Sequence, residues 1–138
     1  MTTEIDNVAV LKAAYASWSQ SKGGDAGGWL EVIGDDFRLR SLPDGMEPLA
    51  FTSERRGRDE FLGYIEGLRT DWEMVFYDMD DYIARGDRVV VLGRISYRNR
   101  LTGKVFETPK IDVWRMEGGK AKDYLESFDT AKVLACTS

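Results

Sequence analysis

Apolar residues recur along the first third of the chain at helical spacing. Ile5, Val8, Leu11, Tyr15 and Trp18 follow steps of three and four, which predicts one amphipathic helix. Thr3 followed by Asp6 forms a capping-box pattern at its start, and Gly23-Gly24 stop it. A shorter second helix is predicted from a cap at Asp25 through Trp29, Leu30 and Ile33, ending near Gly34. Alternation in Phe37-Arg38-Leu39-Arg40-Ser41-Leu42 then predicts an edge strand. From Pro43 to Arg56 there is no period, and two prolines and Gly45 mark a loop long enough to cover a pocket as a lid. Phe61, Leu62, Ile65 and Leu68 give a third helix, with Asp59 and Glu60 in its first turn where the dipole favours them. Two β-type runs follow, Trp72 to Ala84 and Arg88 to Arg98, joined at Arg85-Gly86-Asp87. After a turn at Leu101-Thr102-Gly103, the stretch Lys104 to Thr130 supplies two more alternating runs that meet at Gly118-Gly119. Three helices thus precede a four-strand antiparallel meander, with a last short turn of structure expected over Ala131 to Ala135. That order predicts an α+β fold with helices on one face of a curved sheet.

The final hairpin carries the most chemistry, and its register decides what the chemistry is. With a three-residue loop Glu117-Gly118-Gly119, the even-numbered Lys110, Asp112, Trp114, Tyr124, Glu126 and Phe128 share one face. A two-residue Gly118-Gly119 loop shifts the pairing by one and sends Asp112 and Glu126 to opposite faces. Both registers are open at the level of sequence.

Composition narrows the function classes. At 138 residues the chain fits one domain, spanning 1–138, able to bury roughly two thirds of its unfolded surface without disulfide or metal. Its net charge of −5 disfavours nucleic acid and anionic lipid as partners. The single cysteine, Cys136, excludes an intrachain disulfide and a thiolate cluster, which suits a reducing, cytoplasmic setting. No apolar run approaches the roughly 18 residues of a membrane span, and MTTEID lacks the features of a signal peptide. The chain has no histidine, so acid/base chemistry falls to carboxylates, tyrosine, lysine or water, and no cofactor or metal is expected.

The opening helix with YASW, the segment GDAGGWLEVIGDDF, the helix RGRDEFLGYIEGL, the strand GDRVVVLGRISY and the hairpin IDVWRMEGGKAKDYLESFD together resemble the SnoaL-like proteins of the NTF2-like superfamily. That superfamily includes ketosteroid isomerase, limonene epoxide hydrolase and polyketide cyclases. The resemblance runs nearly end to end and implies a cone-shaped α+β barrel, three N-terminal helices on a curved and mainly antiparallel sheet, an enclosed pocket and a dimer. It places Asp112 where ketosteroid isomerase has a protonated carboxylic acid, and Glu126 and Arg94 near the aspartate and arginine of the epoxide hydrolase. Ser96 stands where that hydrolase has its second aspartate, and Ser41 where the isomerase has its base. Tyr15 lies near the isomerase's phenolic donor, although counting puts Ser17 at that position.

The candidate site is therefore Asp112, Glu126 and Tyr15 as catalytic groups, with Arg94, Lys110, Trp18, Trp114, Tyr124 and Phe128 around a small, largely apolar molecule. Two functions stand side by side: an isomerase, cyclase or hydrolase using carboxylate acid/base catalysis, and a non-catalytic ligand-binding or dimeric assembly module. In the second, Asp112 pairs with Lys110, Arg94 pairs with Glu126, and Tyr15, Trp18, Trp114 and Phe128 are core residues. The apolar set Val89, Val91, Ile95, Tyr97, Ile111, Val113 and Leu125 is expected on the convex face, where it predicts a homodimer.

Overall fold

The computed structural model describes residues 3–138. Its core is one six-stranded sheet in the order β2-β1-β6-β5-β4-β3, formed by β1 (Ile33–Ser41), β2 (Arg55–Arg56), β3 (Trp72–Arg85), β4 (Arg88–Asn99), β5 (Val105–Glu117) and β6 (Lys120–Phe128). The pairs from β3 to β6 form an antiparallel meander, whereas β1 runs parallel to β6. The sheet is mixed and open, and four helices accompany it: α1 (Glu4–Gln20), α2 (Gly27–Val32), α3 (Gly57–Asp71) and α4 (Thr130–Ala135). The fold is α+β.

Helix α1 begins with the expected box, the Thr3 hydroxyl accepting from the Asp6 amide and the Asp6 carboxylate accepting from the Thr3 amide. Its buried stripe differs from the hydrophobic one. Asn7, Leu11, Ala14, Tyr15 and Trp18 are buried while Ile5 is 81% exposed. Glu4, exposed one turn before Asn7, accepts from the Gly86 amide in the β3–β4 turn, so the first turn meets the sheet through polar groups. Helix α2 ends at Val32 and β1 begins at Ile33, earlier than alternation alone suggested. Nor is β1 an edge: β2 covers its outer side through Arg38 opposite Arg56 and Leu39 opposite Arg55.

The segment from Pro43 to Arg56 is anchored rather than free. Leu49 and Thr52 are buried, and the Thr52 hydroxyl donates to the Leu49 carbonyl at 2.6 Å and accepts from the Gly45 amide at 2.8 Å.

The β5–β6 hairpin resolves the register in an unexpected way. Glu117 pairs with Lys120, so the turn is the two-residue Gly118-Gly119, and both glycines take positive φ (58° and 80°), as that turn requires. The pairing then slips between Arg115 and Met116. Arg115 faces Asp123 while Met116 faces Ala121, a bulge that leaves Lys122 unpaired. Beyond it, Trp114 faces Tyr124, Asp112 faces Glu126 and Lys110 faces Phe128. The short turn alone would have separated the carboxylates; the bulge returns them to one face.

The convex-face expectation needs correction. Val91 pairs with Asp112, Val89 with Trp114, Ile95 with Thr108 and Tyr97 with Phe106, so these β4 residues are buried on the inner face. Ile111, Val113 and Leu125 do lie on the outer face as expected, where Val90 and Leu92 join them in place of the β4 set, with Ile83 and Ile111 well exposed. Odd positions of β4 stand opposite even positions of β5, a phase set by the intervening turn. Gly93 is obligatory here, because an added Cβ would overlap the Asp78 carbonyl and lie 2.6 Å from the Met79 Cα.

Candidate functional site

Residues two apart on a strand point the same way, so Lys110 and Asp112 on β5 and Tyr124 and Glu126 on β6 project together beneath the helices. The Lys110 ammonium lies at their centre. It is 2.7 Å from Asp112 Oδ1, 3.3 Å from Glu126 Oε1, 3.0 Å from the Tyr124 hydroxyl and 3.1 Å from the Tyr77 hydroxyl. Lys110 and both carboxylates are at most 2% exposed. Buried charges persist only when paired and hydrogen-bonded, and each of these is.

Asp112 is held from behind. Its Oδ1 also accepts from Tyr124 at 3.1 Å, and its Oδ2 accepts from the Tyr15 hydroxyl, which in turn accepts from Trp114 Nε1 at 2.8 Å. Burial lifts the Asp112 carboxyl above its ordinary pKa, against the opposing pull of Lys110 and the Tyr15 hydrogen bond. For Lys110, burial works downward, but the facing Asp112 charge, with Tyr77 and Glu126, carries its pKa well above the ordinary lysine value. Burial first, then the nearby carboxylates, also raise Tyr15, Tyr64 and Tyr124, so all three remain phenols.

Glu126 is oriented by hydroxyls. Ser41 on β1 donates to Oε2, and Tyr64 on α3 lies 3.0 and 2.9 Å from the two oxygens. Tyr124 adds a longer contact at 3.4 Å.

Above this polar floor lies a cavity of about 60 Å³, room for a few waters. Its walls include Trp29, Phe51, Trp72, Trp114, Tyr97 and Phe106, with Trp18, Tyr64, Tyr77 and Phe128 completing an aromatic lining. Lys110 and Glu126 line it. Asp112 and Tyr15 do not, because Lys110, Tyr124 and Trp114 cover them.

Of the sequence candidates, Asp112, Glu126, Tyr15, Lys110, Trp114, Tyr124, Trp18 and Phe128 thus converge on one region. Tyr15 is not aimed at the cavity, its proton being committed to Asp112. Arg94 is elsewhere. It lies opposite Pro109 on the outer face, half exposed, 3.3 Å from Glu107, so neither pocket contact nor an Arg94–Glu126 pair forms. The same strand phase that displaced the convex set explains it. Tyr64, Tyr77, Trp29 and Phe51 line the cavity without having been site candidates in the sequence. Tyr64 could have been found, since Phe61, Tyr64, Ile65 and Leu68 continue one helical stripe.

Among the described residues no helix is long and apolar enough to cross a membrane. The sequence model of the SnoaL-like domain matches residues 11–124. An NTF2-like protein of unknown function from Burkholderia pseudomallei superposes with a TM-score of 0.82 at 26% identity, covering 96% of this chain and 98% of its own. The protein TerC, co-crystallized with polyporic acid, superposes at 0.80 with 23% identity over 95% and 97% of the two chains. A protein of ketosteroid isomerase-like fold from Catenulispora acidiphila, in complex with trimethylamine, superposes at 0.73 with 15% identity over 93% and 91%. No curated protein matches the sequence.

Proposed function

The chain belongs to the SnoaL-like domain family, and from that premise we propose that it takes a small, largely apolar molecule into the aromatic cavity and acts on it by carboxylate acid/base catalysis. The observation that carries this reading is that the charged side chains lining an otherwise apolar cavity are Glu126 and Lys110, in contact with one another. Glu126 is the proton-transferring group. Lys110, with the Tyr124 hydroxyl beside it, offers positive charge to an oxygen that gains electron density as the proton leaves. Asp112 and Tyr15 act through Lys110: they are positioning residues that hold the ammonium charged and in place. The reaction class is isomerisation, ring closure or hydrolysis begun by such a proton transfer. A ligand larger than a few atoms requires the half-buried Phe51, Leu68 and Phe128 to turn aside.

A second reading, ligand binding without turnover, is favoured by one observation. Ser41, Tyr64 and Lys110 already engage the Glu126 carboxylate, so both of its oxygens are committed to neighbouring side chains. Conversion of any bound ligand would exclude the second reading, and Glu126→Gln then tests the catalytic role. With a converted substrate in hand, acid/base catalysis predicts at least about a hundredfold loss of kcat with the ligand still bound. Unchanged turnover would overturn the catalytic assignment. The proposal also includes a homodimer through the outer sheet face and, from the lone cysteine and acidic composition, a cytoplasmic setting.

A further inference from the structure

A depression of about 350 Å³ opens where α1 and α3 end and β3 begins. Trp18, Leu68, Trp72 and Tyr97 border it, and the same residues wall the inner cavity, so one layer of side chains separates the two spaces. Leu68 is the half-buried member of that layer.

The rim of this depression carries Lys22, Arg69 and Arg100 against one carboxylate, Glu73. Glu73 is already shared, lying 3.2 Å from Arg98 and 3.7 Å from Arg100. Lys22 and Arg69 have no carboxylate partner among the described residues. Lys22 Nζ donates to the Val75 carbonyl, and Arg69 donates to the carbonyls of Gly23 and Gly24 at 2.8 Å. Arg100 Nε donates to the Arg69 carbonyl at 2.9 Å. Carbonyl bonds fix the direction of these cations but leave their charge uncompensated, so the rim is net positive on a chain whose net charge is −5. Lys22 also holds a left-handed backbone (φ 53°) in a position usually given to glycine, which keeps a strained lysine at this edge.

We propose that this rim binds the anionic group of an amphipathic ligand, a carboxylate, sulfate or phosphate, whose apolar body enters the inner cavity. The inference rests on the cavity reading above and adds the polarity of the molecule: apolar toward Glu126 and Lys110, anionic at the outer end. Cations around a solvent-facing depression one side-chain layer from an apolar cavity attract such a molecule over long range and orient it as the half-buried Leu68 turns aside.

The test uses phenylhexanoate and phenylhexanol, which share an apolar body and differ in the charge of one end. Calorimetric titration of the full chain near neutral pH and low salt should give phenylhexanoate the tighter binding by about tenfold, a difference that shrinks as salt screens the rim. The double variant Lys22→Gln, Arg100→Gln should abolish that preference and leave phenylhexanol within about twofold, with melting curves verifying the fold. Lys22→Glu, at an exposed position, is the second variant and should reverse the preference. Equal binding of acid and alcohol to the unmodified chain, or equal weakening of both in the variants, would overturn the anion-binding rim while sparing the cavity. Failure of both probes to bind would overturn the cavity reading, and the rim with it.

Discussion

Replacing Lys110 by Met keeps much of the side-chain volume and removes only the charge and its hydrogen bonds. The ammonium contacts Asp112 at 2.7 Å and Glu126 at 3.3 Å, and all three groups are almost wholly buried. Breaking a buried pair by deleting one partner costs about 3–5 kcal/mol, because a carboxylate is left desolvated without compensation. Two are left here, so the upper part of that range applies. The variant should therefore lose about 4–5 kcal/mol in urea unfolding at neutral pH, followed by tryptophan fluorescence. The pH dependence has a definite sign. Burial raises the folded-state pKa of Asp112 and Lys110 opposes that rise, so without Lys110 the folded pKa climbs further above the unfolded one. A raised carboxyl pKa contributes stability at low pH that is lost as pH rises through the folded value. The variant's deficit should accordingly be smaller near pH 5 than near pH 8. A loss below about 1 kcal/mol at neutral pH, or a deficit that grows on acidification, would refute the charge-centred account of this core.

Tyr15→Phe removes the partner of both Asp112 Oδ2 and Trp114 Nε1, so a stability loss of about 1–3 kcal/mol is expected by chemical denaturation, and a wild-type midpoint would show that the hydroxyl is dispensable. Gly93→Ala should cost about 3 kcal/mol or more, or abolish soluble expression, because the added methyl strikes the β3 backbone; normal melting would contradict the β3–β4 geometry. The outer sheet face predicts twice the chain mass by light scattering at micromolar concentration, reduced to the monomer by Ile111→Asp, whereas a monomeric parent chain would exclude that interface. Because burial beside Asp112 leaves Lys110 with a raised pKa, its contribution to stability should be complete below the ordinary lysine pKa of 10.5 and fall as pH climbs from there towards the raised folded value, a fall that Lys110→Met should lack; equal alkaline slopes in the two chains would mean that the ammonium is not held as described.

The elements of this fold were legible because periodicity survives in them, while the phase between strands was not. Alternation located β3, β4, β5 and β6 closely, yet it says nothing about which parity of β4 faces which parity of β5. That is why Arg94 was expected inside and Val91 outside. In the last hairpin the turn and the bulge cancel: Gly118-Gly119 shifts the pairing by one and Lys122 shifts it back. The trace is visible afterwards in the spacing of buried Ala121 and Tyr124, three apart where strict alternation demands an even step. Polar residues on buried stripes were the other blind spot. Asn7 and Tyr64 belong to inward faces, but a search for apolar periodicity passes over them. Ser41 was noted as the place where a relative's base would stand; only the structure brings its hydroxyl onto Glu126.

The central claim is that a ligand's polar atom meets Glu126 and Lys110 at the inner end of the aromatic cavity. A crystal structure of the chain with a bound apolar ligand tests it most directly. The account predicts Phe51 or Phe128 displaced and a ligand atom within hydrogen-bond distance of Glu126 or Lys110. A ligand resting only on the surface, with the aromatic walls still closed over an intact Lys110–Glu126 contact, would contradict it.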